Sequence, residues 1–130
     1  MSFLPEADQD YLSKKALHSR EVVENGKKGI VFIDYILPVN KFDREKVDLL
    51  ILLPNGYSDI PPDMFYIHPG IFLMPDKKLP KKTQVNISFE QKQWQRWSRH
   101  SPNNNWRPGI DGIHTYLKKI ETALKTATAE

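Results

Sequence analysis

The sequence predicts an α+β domain: a short N-terminal helix, a four-stranded antiparallel meander, an irregular tryptophan-rich stretch and an amphipathic C-terminal helix. Three observations carry that expectation. Strand-like segments follow one another from Arg20 to Leu73, separated by short turn signals. Ile110, Ile113, Leu117, Ile120 and Leu124 recur at helical spacing near the end of the chain. Between these regions all three tryptophans, Trp94, Trp97 and Trp106, crowd together among arginines.

Each element has a local reason. Pro5 to about Ala16 reads as the first helix: proline suits a first turn, Glu6 and Asp8 lie near the positive end, and Lys14 and Lys15 lie near the negative end. Tyr11, Leu12 and Ala16 form its packing stripe. Arg20 to Glu24 reads as a strand closed by the Asn25-Gly26 turn signal. Gly29 to Leu37 is rich in β-branched and aromatic residues and ends at Pro38. Val47 to Leu53 is almost wholly apolar, the pattern of a central strand covered on both faces. A rigid, proline-bounded loop from Pro54 to Pro62 leads into a fourth strand, Met64 to Leu73, interrupted at Pro69-Gly70. Asp76 to Val85, with Lys77, Lys78, Lys81 and Lys82, reads as an exposed basic loop. In the closing helix Asp111 stands at the N-cap position. Thr126 to Glu130 reads as loose.

Composition limits what such a domain can do. The 130 residues form one domain, 1–130, with 39% hydrophobic and 27% charged residues, the balance of a globular protein. No apolar run approaches the ~20 residues of a membrane span, and the N-terminus lacks the layout of a secretion signal, so a cytoplasmic location is expected. There is no cysteine, which excludes disulfides, thiolate metal sites and a thiol nucleophile within these residues. Four scattered histidines do not make a metal site, and no glycine-rich phosphate loop is present, so no cofactor is expected.

Several motifs point further. Pro54, Tyr57, Pro61 and Pro62 form a Pro-x-x-Tyr-x-x-x-Pro-Pro loop, and Trp106-Arg107-Pro108 is a Trp-x-Pro element before the last helix. With the element order, these resemble the ubiquitin-conjugating fold. Leu4-Pro5-Glu6, the run Pro61 to Phe65, the string Trp94 to His100 and the run Trp106 to Gly112 resemble, more specifically, its bacterial branch, prokaryotic family E. The resemblance spans essentially the whole chain. It implies a role in conjugating a ubiquitin-like modifier protein delivered by a ThiF-type activating enzyme, and antiphage defence is an association of such systems. It also implies that the activating enzyme docks on the N-terminal helix, with Phe3 and Leu4 as an apolar anchor beside Lys14 and Lys15.

The sequence departs from that scheme at its centre. In cysteine-dependent members the nucleophile lies eight residues before the tryptophan of Trp-x-Pro; here 106 − 98 = 8 leads to Ser98. His68-Pro69-Gly70 is similar to the His-Pro-Asn element of those members, but it follows Pro62 too closely and Gly70 has no side-chain amide.

A serine hydroxyl needs a base. His100 supplies one if the segment is extended, since residues two apart then share a face with Cα atoms about 6.5–7 Å apart. Arg96, Arg99 and Arg107, with Trp97 and Trp106, are expected to hold the modifier tail or a developing oxyanion.

Other readings of the same residues stay open. Ser98 can equally cap a turn, His100 can simply bond a carbonyl, and the tryptophans can be core anchors. At the level of function the alternatives are a non-cysteine transferase, a catalytically inactive adaptor that binds the activating enzyme or the modifier, and a nucleic-acid binder. A net charge of +3 is modest for the last.

Overall fold

A computed structural model describes residues 2–15, 17–99 and 105–129; His100 therefore lies outside the described residues. Helix α1 (Glu6–Lys14) leads into six strands: β1 (His18–Glu24), β2 (Lys27–Ile36), β3 (Lys46–Leu53), β4 (Met64–His68), β5 (Asn86–Phe89) and β6 (Lys92–Ser98). Helix α2 (Ile113–Thr126) closes the chain. The strands form one antiparallel sheet in the order β1-β2-β3-β4-β6-β5. The first four lie in sequence order, as a meander requires. The expected count of four strands is corrected to six, because the tryptophan stretch expected to be irregular is a hairpin, with β6 slotted between β4 and β5. The fourth strand also ends earlier than expected, at His68, where Pro69 can no longer donate to the ladder.

The hairpin escapes the sequence reading for two physical reasons. Trp94 and Trp97 are three apart, so in a strand they fall on opposite faces; both are completely buried, in two different clusters. The turn between β5 and β6 is made by Glu90 and Gln91, both left-handed (φ 53° and 62°), with no glycine or asparagine to mark it. The β1–β2 turn uses the expected pair, Asn25 and Gly26, with φ 51° and 79°.

Both faces of the sheet are covered. Ile30, Phe32, Val47, Leu49, Ile51, Phe65, Ile67 and Trp97 pack against Ile113, Tyr116, Leu117, Ile120 and Leu124 of α2. On the opposite face the sheet curls over itself, burying Val22, Val31, Leu50, Phe89 and Trp94. A latch holds the curl: Arg20 of β1 donates two hydrogen bonds (2.7 and 2.8 Å) to the Glu90 carboxylate, and the Glu90 amide donates to Glu24 Oε1 at 3.0 Å. β3, apolar on both faces, lies at the centre, as its composition predicts.

Helix α2 starts at Ile113, so Ile110 is outside it and 60% exposed. Asp111 does not cap it. Its carboxylate instead accepts hydrogen bonds from the Arg107 amide (2.8 Å) and the Thr115 hydroxyl (3.0 Å), and these bonds hold its carboxyl below the usual carboxylate range.

The cap comes from the other helix. Asp8, 3% exposed, accepts the Ile113 amide on Oδ1 at 3.0 Å and the Tyr57 hydroxyl on Oδ2 at 2.6 Å. A carboxylate at a helix N-terminus satisfies an orphan amide and complements the helix dipole. Gly112 makes room for it: a Cβ there would stand 2.5 Å from Asp8 Oδ1. Asp8 thus ties α1, the proline loop and α2 together.

Three outcomes follow. Gly112→Ala costs about 1–3 kcal/mol in urea denaturation through steric overlap, and that cost largely disappears in an Asp8→Ala background; strictly additive effects would refute the contact. Gln91→Gly relieves a left-handed residue and raises stability by about 0.5–1 kcal/mol, whereas a loss of stability would show the turn to be unstrained. The Arg20 hydrogen bonds hold the Glu90 carboxyl below its ordinary range. Its contribution is therefore complete above about pH 4.3 and fades as pH falls through the lower folded value. The stability gap between the native chain and Glu90→Gln should close on acidification over that window, and a gap that widens would contradict the latch.

Candidate functional site

β6 carries the candidate residues on both of its faces because its side chains alternate. Trp97 points to the helices, fully buried, stacked on Phe65 at 5.4 Å between ring centroids and edge-on to Phe42 at 6.1 Å. Its indole nitrogen donates to Gln95 Oε1 at 2.9 Å. The same buried amide clamps the backbone of Ile71, accepting its N–H at 3.0 Å and donating to its carbonyl at 3.1 Å. The Trp97 indole and the Gln95 amide are thus both partnered beneath this end of the strand.

At the end of β6, Ser98 stands opposite Met64 in the register. It is half-buried. Its amide donates to the Lys82 carbonyl at 3.2 Å, and its hydroxyl faces Met64 Sδ at 3.9 Å, a soft and weak acceptor. Ser98 lines a groove of about 390 Å³ together with Lys81, Lys82, Arg99 and the end of α2 at Ala123, Thr126, Ala127 and Thr128. The Arg99 guanidinium lies 4.9 Å from the Trp97 ring centroid, and its Nη1 donates to the Ser98 carbonyl at 2.8 Å. Burial lowers its pKa, yet an arginine stays cationic at any physiological pH.

The segment expected to be loose closes this groove. The Lys81 amide donates to the Thr128 carbonyl at 2.8 Å, and Pro80 bridges Ala129. Lys81 and Lys82, read from sequence as solvated, are thus groove residues. No spacing rule could have found them, because the contact from Lys81 to Thr128 (128 − 81 = 47 positions) is made by the return of the chain end.

The remaining expected residues divide. Arg96 is half-buried on the face away from α2, opposite Tyr66, and its Nε is buried without an acceptor among the described residues. The phenol of Tyr66 is pushed up by burial and by Asp63, against the lowering effect of Arg96. Trp106 is buried and donates its indole N–H to the Ser58 carbonyl at 2.9 Å, docking the Trp-x-Pro element on the proline loop. Arg107 is exposed and paired with Asp111 at 3.4 Å. Neither Trp97 nor Trp106 is among the residues that line the groove.

At the N-terminus Leu4 is 5% exposed and belongs to the core, so it does not project as an anchor. Phe3 is half-buried beneath the Lys28 ammonium, 5.6 Å from its ring centroid. Lys14 and Lys15 are exposed, with Lys15 over the Tyr11 ring.

His68 occupies the far end of β4, four residues from the Met64 that faces Ser98, roughly 13 Å along the strand. Its Nδ1 is bound to the Gln93 carbonyl at 2.8 Å. The His68-Pro69-Gly70 element is thus remote from Ser98. Among the described residues no three His, Asp or Glu side chains converge to hold a metal ion, and no helix is long and apolar enough to cross a membrane.

Comparison with curated proteins gives no match, and neither does comparison with solved structures. The model of one family, described as Prokaryotic E2 family E, matches residues 4–127. That match takes in the proline loop, the tryptophan hairpin and the Trp-x-Pro element, and carries with it an E2-like role in bacterial ubiquitin-like pathways. With nearly its whole length matched, the chain belongs to prokaryotic E2 family E.

Proposed function

We propose that this chain carries a ubiquitin-like modifier as an oxyester on Ser98, taking it from a ThiF-type activating enzyme. The observation that supports the reading is the position of Ser98, a half-buried residue that lines a groove with Lys81, Lys82 and Arg99, eight residues before Trp106. In the proposed step Ser98 Oγ attacks the activated C-terminal carbonyl of the modifier. The new C–O bond forms, the bond to the activating enzyme's sulfur breaks, and the serine proton leaves with that thiolate through a base. His100 is the proposed base, and it lies outside the described residues. Arg99 is fixed against the Ser98 carbonyl, and it is the first candidate to stabilise the developing negative charge. Arg96 is the second candidate for that charge, on the same strand face as Ser98. The exposed Lys14 and Lys15 side of α1, with Phe3 nearby, is the proposed contact for the activating enzyme.

An oxyester is a weaker acyl donor than a thioester, so onward transfer to an amine needs strong electrostatic assistance. A non-covalent adaptor is the competing reading, and the Met64 sulfur facing Ser98 favours it, because a thioether cannot deprotonate a hydroxyl.

The two separate cleanly. Mixed with activating enzyme and modifier, the native chain should form an adduct that resists thiols and is cleaved by hydroxylamine, and Ser98→Ala should abolish it. An adduct of unchanged yield in Ser98→Ala would remove the serine from the mechanism.

A further inference from the structure

The groove beside Ser98 carries one sign of charge. Its lining contains Lys81, Lys82 and Arg99, three hydroxyl residues in Ser98, Thr126 and Thr128, two alanines, and no aspartate or glutamate. Arg99 is held on the Trp97 ring and by the Ser98 carbonyl, so its charge sits in a fixed place. Lys81 is held at the backbone by Thr128, which leaves its exposed side chain at the mouth. The Lys82 carbonyl accepts the Ser98 amide, which brings that cationic residue to the same strand end. A space of about 390 Å³ is the size of a few peptide residues.

We infer that this groove selects a modifier whose C-terminal tail is acidic. The inference rests on the proposed oxyester function, since the tail must lie here for its end to reach Ser98. Two physical points carry it. Arg99 and Lys81 give the groove a positive potential, so a carboxylate side chain entering it is attracted while a lysine or arginine is repelled. The exposed Thr128 offers a hydroxyl donor to the same carboxylates, while that of Thr126 is given to the Thr122 carbonyl at 2.8 Å. Like-charge exclusion makes the groove a discriminator as well as a binding site.

Titration of isotope-labelled Ser98→Ala protein, followed by NMR, tests this without the covalent step. The probes are two octapeptides of glycine and alanine with the same C-terminal residue, one bearing two aspartates and the other two lysines at the same positions. The acidic peptide should bind about tenfold more tightly, shifting the Lys81, Arg99 and Thr126 amides, with the preference shrinking as salt is added. Lys81→Glu, a change at an exposed side chain, should narrow or invert the preference. Equal affinities, tighter binding of the basic peptide, or shifts confined to other surfaces would overturn the inference. An adduct that survives Ser98→Ala would end the serine reading instead, and the peptide titration would still decide the preference of the groove.

Discussion

The buried carboxylate of Asp8 is the constraint on which the rest of the molecule depends. Its two oxygens are shared between the first amide of α2 and the hydroxyl of Tyr57 in the proline loop. Hydrogen bonds to a charged group contribute about 1.5–3 kcal/mol each, but the arrangement matters more than the sum. Three segments far apart in sequence meet at one residue, and none can shift without leaving a buried donor unpaired. Burial and its acceptor bond push the Tyr57 phenol well above its ordinary range, so this donor keeps its proton. Gly112 is dictated by the same contact, because no side chain fits between Asp8 and the start of α2.

That junction sets where α2 begins, and α2 in turn sets the groove. The helix packs its apolar side on the sheet through Trp97 and its neighbours, and its last turn delivers Ala123, Thr126 and Ala127 beside Ser98. From the other side, β6 is fixed by two tryptophans buried in separate clusters and by the Gln95 clamp on Ile71. The reactive candidate thus stands at the end of a strand pinned on both faces, whereas the groove wall opposite is a lysine loop. Removing Trp97 would cost about 3–5 kcal/mol of stability and loosen the stage on which Arg99 lies.

What the chain reveals before folding follows from how local each signal is. Helix α2, the β1–β2 turn and the central strand were legible because periodicity, Asn25-Gly26 and an unbroken apolar run are local properties. The hairpin of β5 and β6 was not, since Glu90 and Gln91 adopt a glycine-like turn without glycine, and the tryptophan spacing mimics a helix. Asp8 read as an ordinary first-turn acid; its cap on a helix 105 residues later has no local signature. Ser98 was found by its distance from Trp106, yet its groove was not, because Lys81 and Thr128 meet only in three dimensions. The expected anchor Leu4 failed for the converse reason: an apolar residue beside a helix start fits a core and a docking surface equally well.

In the proposed reaction, serine in place of cysteine changes what the surrounding residues must supply. A thiol ionises close to neutral pH and needs little help, whereas a hydroxyl must lose its proton during attack. The described neighbours of Ser98 offer cations and hydroxyls, which stabilise a negative transition state and an incoming carboxylate but remove no proton. The division of labour is then specific. In the proposed mechanism charge stabilisation and tail binding fall to the groove, and the proton must be taken by a base outside its lining. On this reading the proposed carrier and the competing adaptor differ by a single proton acceptor and not by the fold.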